Sequence, residues 1–113
     1  MLSGLLYLVA SDRAIAGRRE ALLDFTRRLA AARRWAQSHP ADYARVLAAE
    51  IGVSEPVARL TFDTDTPAPV PIDDRVIADE QRTADRYVKA GVIRERFDAR
   101  ALFDPSFNAA LAG

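Results

Sequence analysis

The chain contains no cysteine, which removes disulfides, thiolate nucleophiles and cysteine-ligated metals together. That absence suits a reducing and an oxidising compartment equally. A single histidine, His39, excludes both a histidine pair for a metal and a second imidazole for a proton relay. Net charge is missing as well: 16 basic and 16 acidic residues cancel, so no global field steers the chain toward nucleic acid or an anionic membrane. No hydrophobic run is long. The apolar opening Met1 to Ala10, at about ten residues, is far short of the roughly 20 that span a bilayer as a helix. It has no basic residue ahead of it and is followed by Asp12 and Arg13 without a convincing small-residue cleavage site, so it is a poor signal peptide. A Gly-rich phosphate loop, a nucleophile elbow, a paired-histidine zinc helix and a calcium loop are all absent from the sequence. The expectation is a protein that is not an enzyme and needs no metal or cofactor.

What is present is the composition of an ordinary folding chain. Its 113 residues are 50% hydrophobic and 28% charged, enough for one core and outside the disordered class. Residues 1–113 read as a single segment without internal repeats or low-complexity tracts. Leu5 to Val9 is a short continuous apolar run that predicts a strand at about 5–10, buried on both faces. No second run of comparable quality follows to pair with it.

The remainder predicts helices. From about 17 to 38, Leu22, Phe25, Leu29, Ala32 and Ala36 recur at spacings of three and four along one stripe, flanked by Trp35. His39-Pro40 breaks that helix, because proline lacks an amide hydrogen and disfavours helical geometry before it. A second helix is expected at 40–51, with Tyr43, Leu47 and Ile51 aligned and Gly52 as its left-handed stop. A third, at 55–62, is capped by Ser54 and would bury Val57, Leu60 and Thr61. Pro67, Pro69 and Pro71 make the stretch from Asp63 to Pro71 an extended connector. The longest remaining helix, at 73–90, opens on Asp73 or Asp74, buries Ile77, Ala84 and Val88, and closes with Lys89 before Gly91. A final short helix at 98–103 is capped by Asp98, and the tail from Asp104 follows.

Each residue type capable of chemistry has a plainer role here. His39 stands at a helix break, where an exposed or capping imidazole is the ordinary outcome. Asp73 and Asp74 could divide acid and base duties only if their environments separated their pKa values. Adjacent acids at a helix start instead cap its unpaired amides. Arg18, Arg19, Arg27, Arg28, Arg33 and Arg34 make the first long helix basic, as a phosphate or nucleic-acid contact would require. They point in several directions around the helix and are interspersed with Glu20 and Asp24, which describes a solvated face and no nucleic-acid partner.

The string Pro71-Ile72-Asp73-Asp74-Arg75-Val76-Ile77-Ala78-Asp79-Glu80-Gln81-Arg82, continuing to Ala90-Gly91-Val92-Ile93, resembles the C-terminal region of solute-binding proteins for aliphatic sulfonates, taurine and nitrate. Upstream, Trp35-Ala36 through His39-Pro40 to Gly52-Val53 is similar to that family's helix pair, and Leu102-Phe103-Asp104-Pro105-Ser106-Phe107 to its closing segment. The resemblance implies the C-terminal portion of a two-lobed α/β periplasmic-binding-protein fold of type 2, mostly α in this chain with one N-terminal strand. It implies the substrate-binding component of an ABC importer for aliphatic sulfonates or a related small organic anion. The implied partners are an N-terminal lobe missing from this chain, an ABC permease and the anionic solute, and the implied location of the full-length protein is periplasmic or lipid-anchored outside the cytoplasm. The family's anion-holding groups come largely from the portion preceding this one, so no ligand-binding residue is carried over. A thiamine-pyrimidine synthase branch resembles the same fold, but its cysteine-rich motif is unmatched. The alternative from another class is a helical interaction module that buries its apolar faces by self-association, as a homodimer.

Overall fold

Gly52 and Gly91 adopt φ values of +71° and +75°, the left-handed conformation that costs other residues steric strain. Each closes a helix. The Gly91 amide donates to the Val88 carbonyl at 3.0 Å and the Val92 amide to the Tyr87 carbonyl at 2.9 Å, the paired bonds of a Schellman motif. At Gly52 the amide returns to the Ala48 carbonyl at 3.0 Å. These two stops divide the helical sequence as its glycine placement predicts.

The computed structural model describes residues 5–64 and 68–112. Its helices are α1 (Asp12–Gly17), α2 (Arg19–Ser38), α3 (Pro40–Ile51), α4 (Glu55–Thr64) and α5 (Asp74–Lys89), followed by short 3-10 helices at Ala99–Leu102 and Pro105–Leu111. The expected helix at 17–38 is α2, starting at Arg19, and a short helix that was not expected, α1, precedes it; the two are separated where Arg18 leaves helical geometry next to Gly17, a residue of low helix propensity. Asp63 and Thr64 belong to α4, so the extended connector starts later than expected; Pro67 lies outside the described residues. The turn expected at 98–103 is the first 3-10 helix, and the tail holds the second.

The strand at 5–10 does not form, and no strand or sheet occurs among the described residues. The mostly helical class holds, but the N-terminal strand and the α/β lobe architecture that went with it are corrected. A strand exists only by sharing its backbone hydrogen bonds with a neighbour. The longer apolar stretches elsewhere are helical, and the prolines at 67, 69 and 71 remove alternate amide donors from the connector. The Gly4 that precedes the run lies outside the described residues.

The chain divides into two compact units, Asp12–Pro69 and the pairing of Met1–Ser11 with Val70–Gly113. In the first unit the principal packing is α3 on α4, around Ala44, Ala48 and Ala58 with Leu47 at the side. The Tyr43 and Phe62 rings meet at the rim, with centroids 5.1 Å apart. Alanines at the contact let the two backbones approach closely, so the buried stripe is rotated from the expected one. Ala58 and Phe62 turn inward on α4, while Val57, Leu60 and Thr61 are exposed; Ile51 on α3 is exposed as well. On α2, Ala36 is buried and Leu22 and Leu29 half-buried, but Phe25 and Ala32 face solvent.

In the second unit α5 buries Ile77 and Ala84 and half-buries Val88, the stripe its periodicity predicts. The first 3-10 helix packs on α5 and buries Ala99. Tyr7 meets Phe103 edge-on at 5.4 Å, which anchors the N-terminal run to the C-terminal segment. No large side chain among the described residues is wholly enclosed: the buried set is mostly alanine, with Phe62 and Ile77 the only larger members.

Candidate functional site

Asp73 and Asp74 take separate structural partners. Asp73 is the N-cap of α5, its Oδ1 accepting the Val76 amide at 2.9 Å, which satisfies one of the donors a helix start leaves unpaired. Asp74 instead accepts from Arg100 Nη2 at 2.8 Å. The ion pair raises the Arg100 pKa, chiefly through that hydrogen bond. The two carboxylates do not converge on a common point, so the pair does not form an acid and base couple.

His39 is exposed, and its ring stacks on Trp35 with centroids 5.2 Å apart and planes 13° from parallel. Its Nδ1 lies 3.0 Å from the Trp35 carbonyl oxygen. A carbonyl only accepts, so the bond requires a proton on Nδ1. The backbone amide of His39 donates to the same oxygen at 2.9 Å. The imidazole therefore finishes α2 at the break before Pro40.

Two of the arginines of α2, Arg27 and Arg28, share one surface carboxylate, Asp24. Arg28 donates to Asp24 at 2.8 Å and Arg27 stands 3.8 Å from the same carboxylate, all three side chains more than half exposed. Neighbouring pairs on other helices, Arg45 with Asp42 and Arg59 with Asp63, follow the same spacing of three or four residues.

The densest polar constellation surrounds Gln81, which sequence reasoning passed over as part of a family string. Its Oε1 accepts the Ala99 amide at 2.7 Å, and its Nε2 donates both to the Phe97 carbonyl at 3.0 Å and to Asp85 Oδ1 at 2.9 Å. Arg96 Nε reaches the same Asp85 oxygen at 3.0 Å. The Gln81 hydrogen bond, with Arg96 second, holds the Asp85 carboxyl below its ordinary pKa range. An acid held ionised in this way is a poor proton donor near neutrality. Only the spacing of Gln81 between Ile77 and Ala84 on the buried stripe signalled its place, since a polar residue there needs a partner.

A shallow, solvent-open groove beside the start of α5 is lined by Asp74, Arg75, Ala78, Asp79 and Arg82. Its charges are largely committed, Asp79 to Arg82 and Asp74 to Arg100. No group of three or more histidines, cysteines or acids that could hold a metal occurs among the described residues. No described helix is long and apolar enough to cross a membrane.

What is left without a role is apolar surface. Val9 is 91% exposed and Leu6 74%, while in the other unit Leu60 is 67% exposed and Phe25, Trp35 and Val57 also face solvent. Isolated exposed apolar residues are common on monomers, but these accompany a core made mainly of alanine. No family model, no curated protein and no solved structure matches the chain.

Proposed function

We propose that this chain acts as the C-terminal segment of the substrate-binding component of an ABC importer for aliphatic sulfonates or a related small organic anion. Its role there is non-catalytic, and it does not hold the solute by itself. The proposal concerns role and partners and places no strand in this chain. It is supported by the order of the blocks around Trp35 to Val53, Pro71 to Ile93 and Leu102 to Phe107. The observation that carries the need for a partner is the exposure of Leu6, Leu8 and Val9 beside a core without large enclosed side chains. An N-terminal lobe would cover such surface, and a permease would receive the assembled protein outside the cytoplasm.

Calorimetric titration of the chain with alkanesulfonates, taurine and nitrate tests the binding half of the proposal. No heat of binding is expected, because closure on a small ligand requires walls on both sides; micromolar affinity in the chain alone would overturn it. Reading the DNA immediately upstream of the Met1 codon tests the parentage. An in-frame lobe preceded by a signal peptide is expected, and an unrelated gene in its place would sink the assignment.

A second reading, a self-associating helical module, is favoured by Val57 and Leu60, one turn apart on α4 and both exposed. Light scattering across a dilution series discriminates: mass rising with concentration supports it, and a constant monomer mass rejects it.

A further inference from the structure

Helix α5 carries Arg75, Arg82 and Lys89 at a constant spacing of seven residues, with Arg86 between the last two. A seven-residue repeat drifts only slightly around an α-helix, so these four cations line one side of it. That side is opposite Ile77, Ala84 and Val88, which turn toward the core, and all four cations are exposed. From Arg75 to Lys89 the ridge runs about 21 Å along the axis, at about 1.5 Å per residue.

The acids of the same helix do not cancel this row of charge. Asp74 and Asp85 are held by arginines from beyond the helix, Arg100 at 2.8 Å and Arg96 at 3.0 Å. Glu80 lies on the other side of α5 and is half-buried. Asp79 stands on the ridge, paired with Arg82. Arg75 and Lys89, at the two ends, have no ion-pair partner among the described residues. Beside the first half of the ridge, the groove lined by Asp74, Arg75, Ala78, Asp79 and Arg82 makes a recess between two of the cations. No large apolar side chain stands between the cations, so the ridge has nothing to insert into lipid.

We infer that this side of α5 is a docking ridge for an acidic helix of a partner protein, one whose carboxylates recur every seven residues. Two helices laid side by side keep their charges in register when both repeat at the same interval, as flanking charges do in paired helices. One carboxylate of such a helix enters the recess between Arg75 and Arg82 and competes with Asp79, while others reach Arg86 and Lys89. Exposed ion pairs are individually weak and are screened by salt, so recognition depends on several acting in register. The ridge is separate from the exposed Leu6 to Val9 run, and its partner does not depend on the importer assignment.

Fluorescence anisotropy of a labelled helical peptide, titrated with the full chain at low salt, tests this. The probe has glutamate at the first and fifth positions of each of three heptads in an alanine and glutamine background. A counterpart of the same composition has its glutamates distributed around the helix. The unmodified chain should bind the heptad peptide roughly fivefold tighter than the counterpart, with affinity falling as salt rises. Arg75→Gln combined with Lys89→Gln should weaken that binding roughly fivefold, as the loss of two exposed pairs predicts. Arg13→Gln combined with Arg18→Gln, an equal loss of charge on another surface, should leave it unchanged. Circular dichroism establishes that both variants keep their helices, and the comparison of the two peptides needs no variant. Equal affinity for the two peptides, or no binding of either, would overturn the inference, as would an equal loss in the control pair. Tighter binding to phosphatidylserine vesicles or to duplex DNA than to the heptad peptide would also overturn it, by assigning the ridge to another class of polyanion.

Discussion

The carboxamide of Asn108 closes on both backbone polar groups of Ile72, its Oδ1 accepting the amide and its Nδ2 donating to the carbonyl, each at 2.8 Å across 36 residues. A side chain here does what a neighbouring strand would do. Ile72, the second residue of the Pro71 block, is thereby tied to the second 3-10 helix. Asn108→Ala should lower the stability of the chain by about 1–3 kcal/mol, because it leaves two half-buried backbone groups without their partners. Asn108→Asp should be no better, since a carboxylate cannot donate and would face the Ile72 carbonyl. Urea unfolding curves followed by circular dichroism check both.

Gly52→Ala and Gly91→Ala are each expected to cost about 1 kcal/mol, from the left-handed backbone and not from crowding. No neighbouring atom stands within 4 Å of a Cβ added at either site. Asparagine, which tolerates this conformation, should recover part of the loss at both positions. A shift in thermal midpoint that is the same for alanine and asparagine would contradict this account.

Asp85 supplies the pH dependence. Its folded pKa is depressed below the ordinary 3.8 by Gln81 and then Arg96, so the ionised form is favoured in the folded state. The stabilisation it brings is complete above that ordinary value and disappears as pH falls through the depressed one. Asp85→Asn should therefore narrow its stability deficit against the unmodified chain as pH falls from neutrality to well below the ordinary 3.8. Urea midpoints for both proteins across that range measure it, and a deficit that stays constant with pH would refute the assignment.

Ala58 is 0% exposed at the contact of α3 with α4. Ala58→Leu should destabilise the chain by about 1–3 kcal/mol, because added methylenes force apart backbones that approach over alanine. Val57→Leu, on the solvent side of the same turn, should change the thermal midpoint little. The contrast between adjacent positions tests the rotated face directly.

Leu60→Lys should leave the helical content unchanged while reducing any concentration-dependent mass increase in light scattering. An unchanged mass profile would remove α4 from the self-association reading.

Helix starts and stops were largely legible in the residues. Pro40 in a first turn, Asp73 as a cap and the glycines at 52 and 91 act through their own backbone and nearest amides, so local chemistry suffices to place them. The buried side of α5 was legible too, because Ile77, Ala84 and Val88 leave little choice of face. The face of α4 was not. Val57 and Leu60 outweigh Ala58 in hydrophobicity, but the closeness of α3 decides which side is inside, and small residues permit that closeness.

The sequence by itself determined the four long helical segments, their boundaries at proline and glycine, and the absence of any cysteine or histidine cluster, because these depend on residue type and short-range geometry, whereas the short helix at Asp12–Gly17 and the 3-10 helix at Pro105–Leu111 were not legible in it. Tertiary structure alone decided that Leu5 to Val9 forms no strand, that Gln81 fastens Phe97 and Ala99, and that Asp74 meets Arg100 and Asn108 meets Ile72. Strand formation and these contacts require a partner distant along the chain, and which partner arrives is fixed by packing that no local propensity encodes.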